Sequence, residues 1–165
     1  MTAAWIALGS NLQAPLQQLR RAVRALDRQS GLRLERLSSI YRSAALGPGE
    51  QPTYLNAVVL VHTSLAPLTL LDALQHIERQ QGRERTLRWG PRTLDLDLLL
   101  YGSQSMHTGR LTLPHPAMTQ RNFVLVPMAE IAAADLRLPD GTRLDTLVSG
   151  CPLDGLAKTH WQLRE

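Results

Sequence analysis

The segment RWGPRTLDLDLLLYG, residues 88–102, sets Asp95 and Asp97 two positions apart inside a run of leucines. In an extended chain successive side chains alternate between faces, so the two carboxylates share one face and Leu94, Leu96 and Leu98 take the other. Like charges placed this way repel. The loop before them carries Arg83, Arg85, Arg88 and Arg92, four positive groups for two negative ones. Carboxylate oxygens completed by water and phosphate oxygens are what Mg²⁺ accepts, and the surplus of guanidinium charge then calls for an anion such as a polyphosphate. The competing explanation is a solvent-facing pair of aspartates with surface ion pairs, which contribute little. No G-x-x-x-x-G-K-[ST] occurs, so phosphates would be held by arginine side chains and not cradled by a P-loop.

Other residue types add to this centre. Trp89 sits in a polar loop between Arg88 and Gly90, where an indole either stacks on a planar ligand or folds back onto the domain. His115 lies between two prolines with Arg121 six residues on, and the pair reads either as ligand contacts or as structural residues. Gln75 and Glu78, three apart, read on their own as a solvated helix face.

These residues need elements to hold them. Residues 3–9, AAWIALG, predict a first strand buried on both faces. Pro15 in a first turn, then Leu16, Leu19, Val23 and Leu26 at helical spacing, predict a helix that Gly31 ends. Residues 32–41 alternate imperfectly, as a strand would, and SAALGPGEQP follows as a loop. The next strand, 54–62, places Tyr54 and Asn56 on one face and Leu55, Ala57, Val59 and Val61 on the other. Pro67 opens a second helix whose inner stripe is Leu71, Leu74 and Ile77, with Gly82 as its stop, and the aspartate strand comes fourth. The order βαββαβ predicts an α+β, ferredoxin-like domain with helices on one side of a mainly antiparallel sheet. Beyond Gly102, LTLPHP reads as extended, RNFVLVPMAEIAA as a helix that Pro127 starts or kinks, and Pro139-Asp140-Gly141 as a turn. No chemistry is assigned to residues 134–165, and residues 1–165 are read as one domain.

Composition narrows the class. Of the 18 basic residues only Lys158 is a lysine, and guanidinium groups suit bidentate phosphate binding. The net charge of +4 would attract any polyanion, but one Phe, three Tyr and three Trp give no ladder of rings for single-stranded nucleic acid. No apolar run approaches the ~20 residues of a membrane span, and MTAAWIALGS lacks the features of a secretion signal, so a cytoplasmic protein without a membrane partner is expected. The single Cys151 excludes an internal disulfide framework and a thiolate metal site.

Taken together, AWIALGSN, YLNAVV, the Arg83–Arg92 loop, GPRTLDLDLLLYG, LTLPHPAM and RNFVLVP occur in an order and spacing that resembles the 6-hydroxymethyl-7,8-dihydropterin pyrophosphokinase family of the folate pathway, over roughly residues 4–131. The resemblance implies a ferredoxin-like, usually monomeric enzyme that takes ATP as co-substrate and two Mg²⁺ ions, and moves pyrophosphate onto the pterin hydroxymethyl oxygen. It implies that Asp95 and Asp97 hold the metals and that Arg83 and Arg92 assist transfer. For the nucleotide it implies Gln75, Glu78, Arg85, Arg88, Trp89, Arg92, Leu98, Arg110, Thr112, His115 and Arg121. For the pterin it implies Ser43, Ala44, Leu46, Tyr54, Asn56, Trp89, Asp95 and Phe123, with the ring between Trp89 or its neighbour and Phe123. The chain departs from the family's T-x-P or T-P-P at Ser43-Ala44-Ala45, and its loop from Arg83 to Trp89 is short. An RNA-binding ferredoxin-like module and a two-metal nuclease are the alternatives; carboxylates on the sheet face argue against the first.

Overall fold

The computed structural model describes residues 1–11, 14–43, 53–82 and 94–164. At the centre of its sheet, β1 (Thr2–Ser10) pairs antiparallel with β4 (Tyr54–Thr63) on one side and β5 (Asp95–Tyr101) on the other. The far edge of β4 is shared by two short strands, β2 (Leu32–Leu37) against its second half and β3 (Tyr41–Ser43) against its first. The sheet order β5-β1-β4 followed by β2, with helices α1 (Pro15–Arg28) and α2 (Pro67–Gln80) as the two crossovers, is the ferredoxin-like arrangement.

The predicted strand over 32–41 is therefore two strands. At Ser38 the backbone steps out of the ladder, and the side chain replaces what the backbone no longer supplies. Ser38 N–H donates to the Val58 carbonyl at 2.9 Å, while Val58 N–H donates to Ser38 Oγ, also at 2.9 Å. Both polar groups of Val58, which is fully buried, are thereby satisfied.

Both α1 and α2 begin at a proline, whose fixed φ suits a first turn and whose missing N–H is no loss there. Leu19, Ala22, Val23 and Leu26 of α1 and Leu70, Leu71, Leu74 and Ile77 of α2 are buried against Ile6, Leu8, Ala57, Val59, Leu96 and Leu98 of the sheet. After α1 the chain reverses at Gly31, with φ of 84°, a backbone conformation that favours glycine; a Cβ there would also push against the Leu65 side chain.

Helices do not lie on one side alone. The opposite face of the sheet presents Trp5, Val58, Leu99 and Leu100, apolar surface that also has to leave water. It is covered by α3 (Asn122–Ile131), with Val124, Leu125, Met128 and Ile131 buried and α4 (Leu144–Ser149) packed behind it. The α3 helix starts five residues before Pro127 and runs past it. Near its other end Glu130 accepts hydrogen bonds from the Ser39 and Tyr41 hydroxyls, each at 2.7 Å, and Arg36 donates to the Ile131 carbonyl at 3.2 Å, which fastens α3 to the step between β2 and β3. Burial, and then the Glu130 carboxylate, push the Tyr41 hydroxyl far above its ordinary pKa, so it remains a donor.

A short hairpin, β6 (Met106–His107) and β7 (Thr112–Leu113), follows β5, and β7 is the extended segment expected at LTLPHP. The expected turn at Pro139-Asp140-Gly141 is present: Gly141 N–H donates to the Leu138 carbonyl at 2.9 Å and Thr142 N–H to Asp140 Oδ1 at 2.9 Å. Beyond α4 the chain returns as β8 (Leu156–Lys158), which pairs with β3. Among the described residues no helix is long and apolar enough to cross a membrane.

Candidate active site

On the α3 face of the sheet, β1 presents Trp5, Ala7 and Gly9 in turn, and the side chains shrink toward one end of the strand. Trp5 fills the space beneath α3; beyond it Ala7 and Gly9 leave a recess. Asp97 and Asp95 stand directly beside them on β5, paired with Ala7 and Gly9 respectively. Both aspartates are half-buried, and they share a face as strand alternation requires. The recess is closed by Tyr54 and Asn56 from β4, by Ser43 from β3, and by Arg121, Phe123 and Val124 at the start of α3. Asn56 Nδ2 donates to Ser43 Oγ at 2.8 Å, which fixes the amide's orientation. Burial, and then the negative charge of Asp95, raise the Tyr54 hydroxyl's pKa, so it too stays protonated. The Arg121 guanidinium lies 5.7 Å from the centre of the Phe123 ring, a cation–π distance.

A bulge in β5 keeps this face continuous. Opposite the step from Trp5 to Ile6, the strand goes from Leu100 to Leu98, so Leu99 is an extra residue. Leu99 and Leu100 consequently both enter the α3 core, while Tyr101 returns to the other face and donates its hydroxyl to the Leu65 carbonyl at 2.7 Å.

A second cleft lies along the outer edge of β5, lined by Gln75 and Glu78 from α2, by Asp97 and Leu98, by Thr108, Arg110 and Thr112 of the hairpin, and by His115. Glu78 is not on a solvated helix face: it is 3% exposed, and its Oε2 accepts the Leu96 N–H at 2.8 Å. An edge strand has outward N–H and C=O groups that need partners, and Glu78 serves one of them between the two aspartates. His115 serves another, its N–H donating to the Leu99 carbonyl at 2.9 Å. The His115 ring accepts the Ala117 N–H at Nδ1, 3.3 Å away, so in the neutral ring the proton is on Nε2. Burial lowers the His115 pKa, Asp97 opposes that, and Arg121 adds to it. Arg110 bonds Asp72 and, at 3.1 Å, Gln75 Oε1, which ties the hairpin to α2 across the cleft.

The sequence-predicted residues thus form two groups. Ser43, Tyr54, Asn56, Asp95, Asp97, Arg121 and Phe123 surround the first cleft; Gln75, Glu78, Asp97, Leu98, Arg110, Thr112 and His115 surround the second. Arg121, assigned by resemblance to the nucleotide, lines the first cleft and is close enough to His115 to affect its protonation. Ala44, Leu46, Arg83, Arg85, Arg88, Trp89 and Arg92 lie outside the described residues. Reading the sequence missed Ala7 and Gly9 as the floor of the recess, though the diminishing series at alternate positions was a visible signal. It also missed Thr108, whose hydroxyl accepts the N–H groups of Arg110 and Leu111 and shapes the hairpin loop.

Among the described residues no three His, Cys, Asp or Glu side chains converge. The donors at the junction of the clefts are the two carboxylates, a set that fits Mg²⁺, since this ion takes one or two protein carboxylates and leaves its other positions to water and phosphate.

Comparison with known proteins identifies the family. Residues 5–133 match the family model described as 7,8-dihydro-6-hydroxymethylpterin-pyrophosphokinase. A Pseudomonas aeruginosa protein named 2-amino-4-hydroxy-6-hydroxymethyldihydropteridine pyrophosphokinase is 51% identical over 154 residues, 93% of this chain and 94% of that one. The Haemophilus influenzae protein of the same name is 52% identical over 148 residues, 90% and 92% of the two chains. Among solved structures, the chain superposes on Plasmodium falciparum HPPK-DHPS with a TM-score of 0.70 and 12% identity, covering 90% of this chain but 43% of the solved one; that likeness concerns the fold alone. The chain belongs to the 7,8-dihydro-6-hydroxymethylpterin-pyrophosphokinase family.

Proposed function

We propose that this chain transfers pyrophosphate from ATP to the hydroxymethyl group of 6-hydroxymethyl-7,8-dihydropterin, giving AMP and the pterin diphosphate in tetrahydrofolate biosynthesis. The observation that carries the reading is that Asp97 lines both clefts, so a group held in one lies beside a group held in the other at a shared carboxylate. The first cleft suits the pterin: Phe123 offers a ring face, and Tyr54, Asn56 and Ser43 offer fixed polar atoms for the edge of a planar heterocycle. The second suits the nucleotide, with Gln75, Arg110, Thr112 and the Nε2–H of neutral His115 as donors toward ribose and phosphate oxygens.

Asp95 and Asp97 would hold two Mg²⁺ ions, which when bound supply charge neutralisation on the triphosphate and polarisation of the reacting oxygens. The remaining work belongs to the chain. Its two clefts bring the hydroxymethyl oxygen toward the β-phosphorus and AMP leaves, so the protein contributes alignment and charge placement and needs no covalent intermediate. Arg121, which lines the first cleft and acts electrostatically on His115 of the second, would take up negative charge there, and Arg83 and Arg92 would share this role, as the resemblance implies. We further place the protein in the cytoplasm as a monomer of one domain, as the family resemblance implies. An RNA-binding role on the sheet is disfavoured, because α1 and α2 cover one face and α3 the other.

Incubation with ATP, Mg²⁺ and the hydroxymethyl pterin, followed by nucleotide chromatography, should yield one AMP per pterin consumed. ADP as product would mean simple phosphoryl transfer and refute the assignment.

A further inference from the structure

The last thirty residues contain a strap that joins opposite walls of the first cleft, and one side chain fastens it. Asn122 stands between Arg121 and Phe123, both of which line the cleft. Its own side chain turns the other way: Nδ2 donates to the carbonyl oxygens of Pro152 at 3.0 Å and of Asp154 at 3.1 Å. Only an NH₂ group can serve two carbonyl oxygens, so the amide's orientation is unambiguous.

From that point the strap continues without a gap in its bonding. The chain turns at Gly155, with φ of 74°, and Leu156 N–H closes the turn onto the Leu153 carbonyl at 3.2 Å. In β8, Leu156 then pairs with Ser43, the residue whose hydroxyl accepts from Asn56 in the opposite wall. Thr159 completes the attachment through its N–H and hydroxyl, both donating to the Ile40 carbonyl, at 2.9 and 2.8 Å. Residues 152–156 thus connect the start of α3, which carries Phe123, to β3, which carries Ser43. This segment lies beyond residues 5–133, the part that matches the family model.

We propose that Asn122 is a positioning residue for the pterin: through the strap it fixes the distance between the Phe123 wall and the Ser43–Asn56 wall, and so sets affinity for the planar substrate without touching it. The inference rests on the first cleft being the pterin site. The nucleotide cleft lies on the far side of β5 and is not spanned by the strap.

The test uses the full chain with Asn122→Asp, Asn122→Ala and Asn122→Gln. Asp has nearly the same shape as Asn but sets a carboxylate against two carbonyl oxygens, Ala removes the donor, and Gln keeps an NH₂ group on a longer stem. We expect Asp and Ala to raise the pterin KM about 3- to 10-fold, a range in keeping with the loss of two partly exposed hydrogen bonds. The ATP KM and kcat should stay within about twofold, and Gln should recover part of the loss. Calorimetric titration with pterin should show the same ranking. Unchanged pterin KM and Kd in the Asp and Ala variants, or equal rises in both KM values together with a lower Tm, would overturn the proposal. Absence of pterin-dependent AMP from the unmutated protein would instead remove the functional reading on which it rests, a result separable from the first because it concerns no variant.

Discussion

Asp97 lines both clefts, and Asp95 stands beside it on the same face of β5. Two carboxylates side by side repel each other, so without metal Asp97→Ala should leave Tm unchanged or slightly higher. Turnover should fall by more than about 100-fold, since even outer partners of metal ligands are worth about 10- to 100-fold. AMP formation at ordinary Mg²⁺ concentrations measures it, and near-normal activity would show that the carboxylate holds no metal. His115 lends itself to a different measurement. In the unfolded chain its ring takes up a proton as pH falls through about 6.5, whereas in the folded protein burial delays that uptake to lower pH. Between the two values the unfolded chain binds more protons, so the contribution of the neutral ring is complete above about pH 6.5 and is lost as pH falls toward the folded value. Urea unfolding at pH 7.5 and pH 5 should therefore show a larger loss for the unmutated protein than for His115→Gln; equal losses would mean that the ring titrates normally. Both aspartates were legible in the sequence because alternation in a strand is a strong rule. The burial of Glu78 was not, because helical spacing says which face a residue occupies but not whether an edge strand in need of an acceptor will be packed against it.

At the level of elements, the recess exists because β1 loses bulk along one face. Gly9→Val tests this directly. A Cβ at Gly9 would meet Asn56 Oδ1 at 3.5 Å, an ordinary contact, and a β-branched residue suits an extended strand, so stability should hold or rise. The added methyl groups would occupy the recess, and the pterin KM should increase at least about tenfold. Retained substrate affinity would place the pterin elsewhere. The step at Ser38 has its own expected cost: Ser38→Ala would strip the buried Val58 N–H of its acceptor, worth about 1–3 kcal/mol in urea unfolding. Nothing in the alternation of residues 32–41 announced that step, since a serine that replaces a backbone carbonyl looks like any polar residue in a half-exposed strand. The second helical layer was closer to the surface of the sequence. Alternation puts Val58 with Tyr54 and Asn56, and Leu99 with Asp95 and Asp97, but the extra residue at Leu99 brings Leu100 to that face as well, which alternation alone does not show.

The whole molecule has two apolar layers separated by the sheet, one under α1 and α2 and one under α3. If these form one cooperative unit, Ile77→Val in the first and Ile131→Val in the second should each cost about 0.5–1.5 kcal/mol, add to within about 0.5 kcal/mol, and leave a single urea transition. Two resolved transitions would divide the chain into separate units. The sheet between the layers also bears on how the ligands sense one another. Because Asp97 belongs to both clefts, occupancy on either side alters the electric field on the other, and the two bindings become a single thermodynamic square. In such a square the path does not matter: whatever factor a non-hydrolysable ATP analogue with Mg²⁺ applies to pterin affinity, the pterin must apply the same factor to the affinity for the analogue. With the pterin and the nucleotide in the clefts proposed for them, a carboxylate common to two compartments would make each ligand an effector of the other without a separate regulatory site, and calorimetry run in both orders would give one coupling constant for the pair.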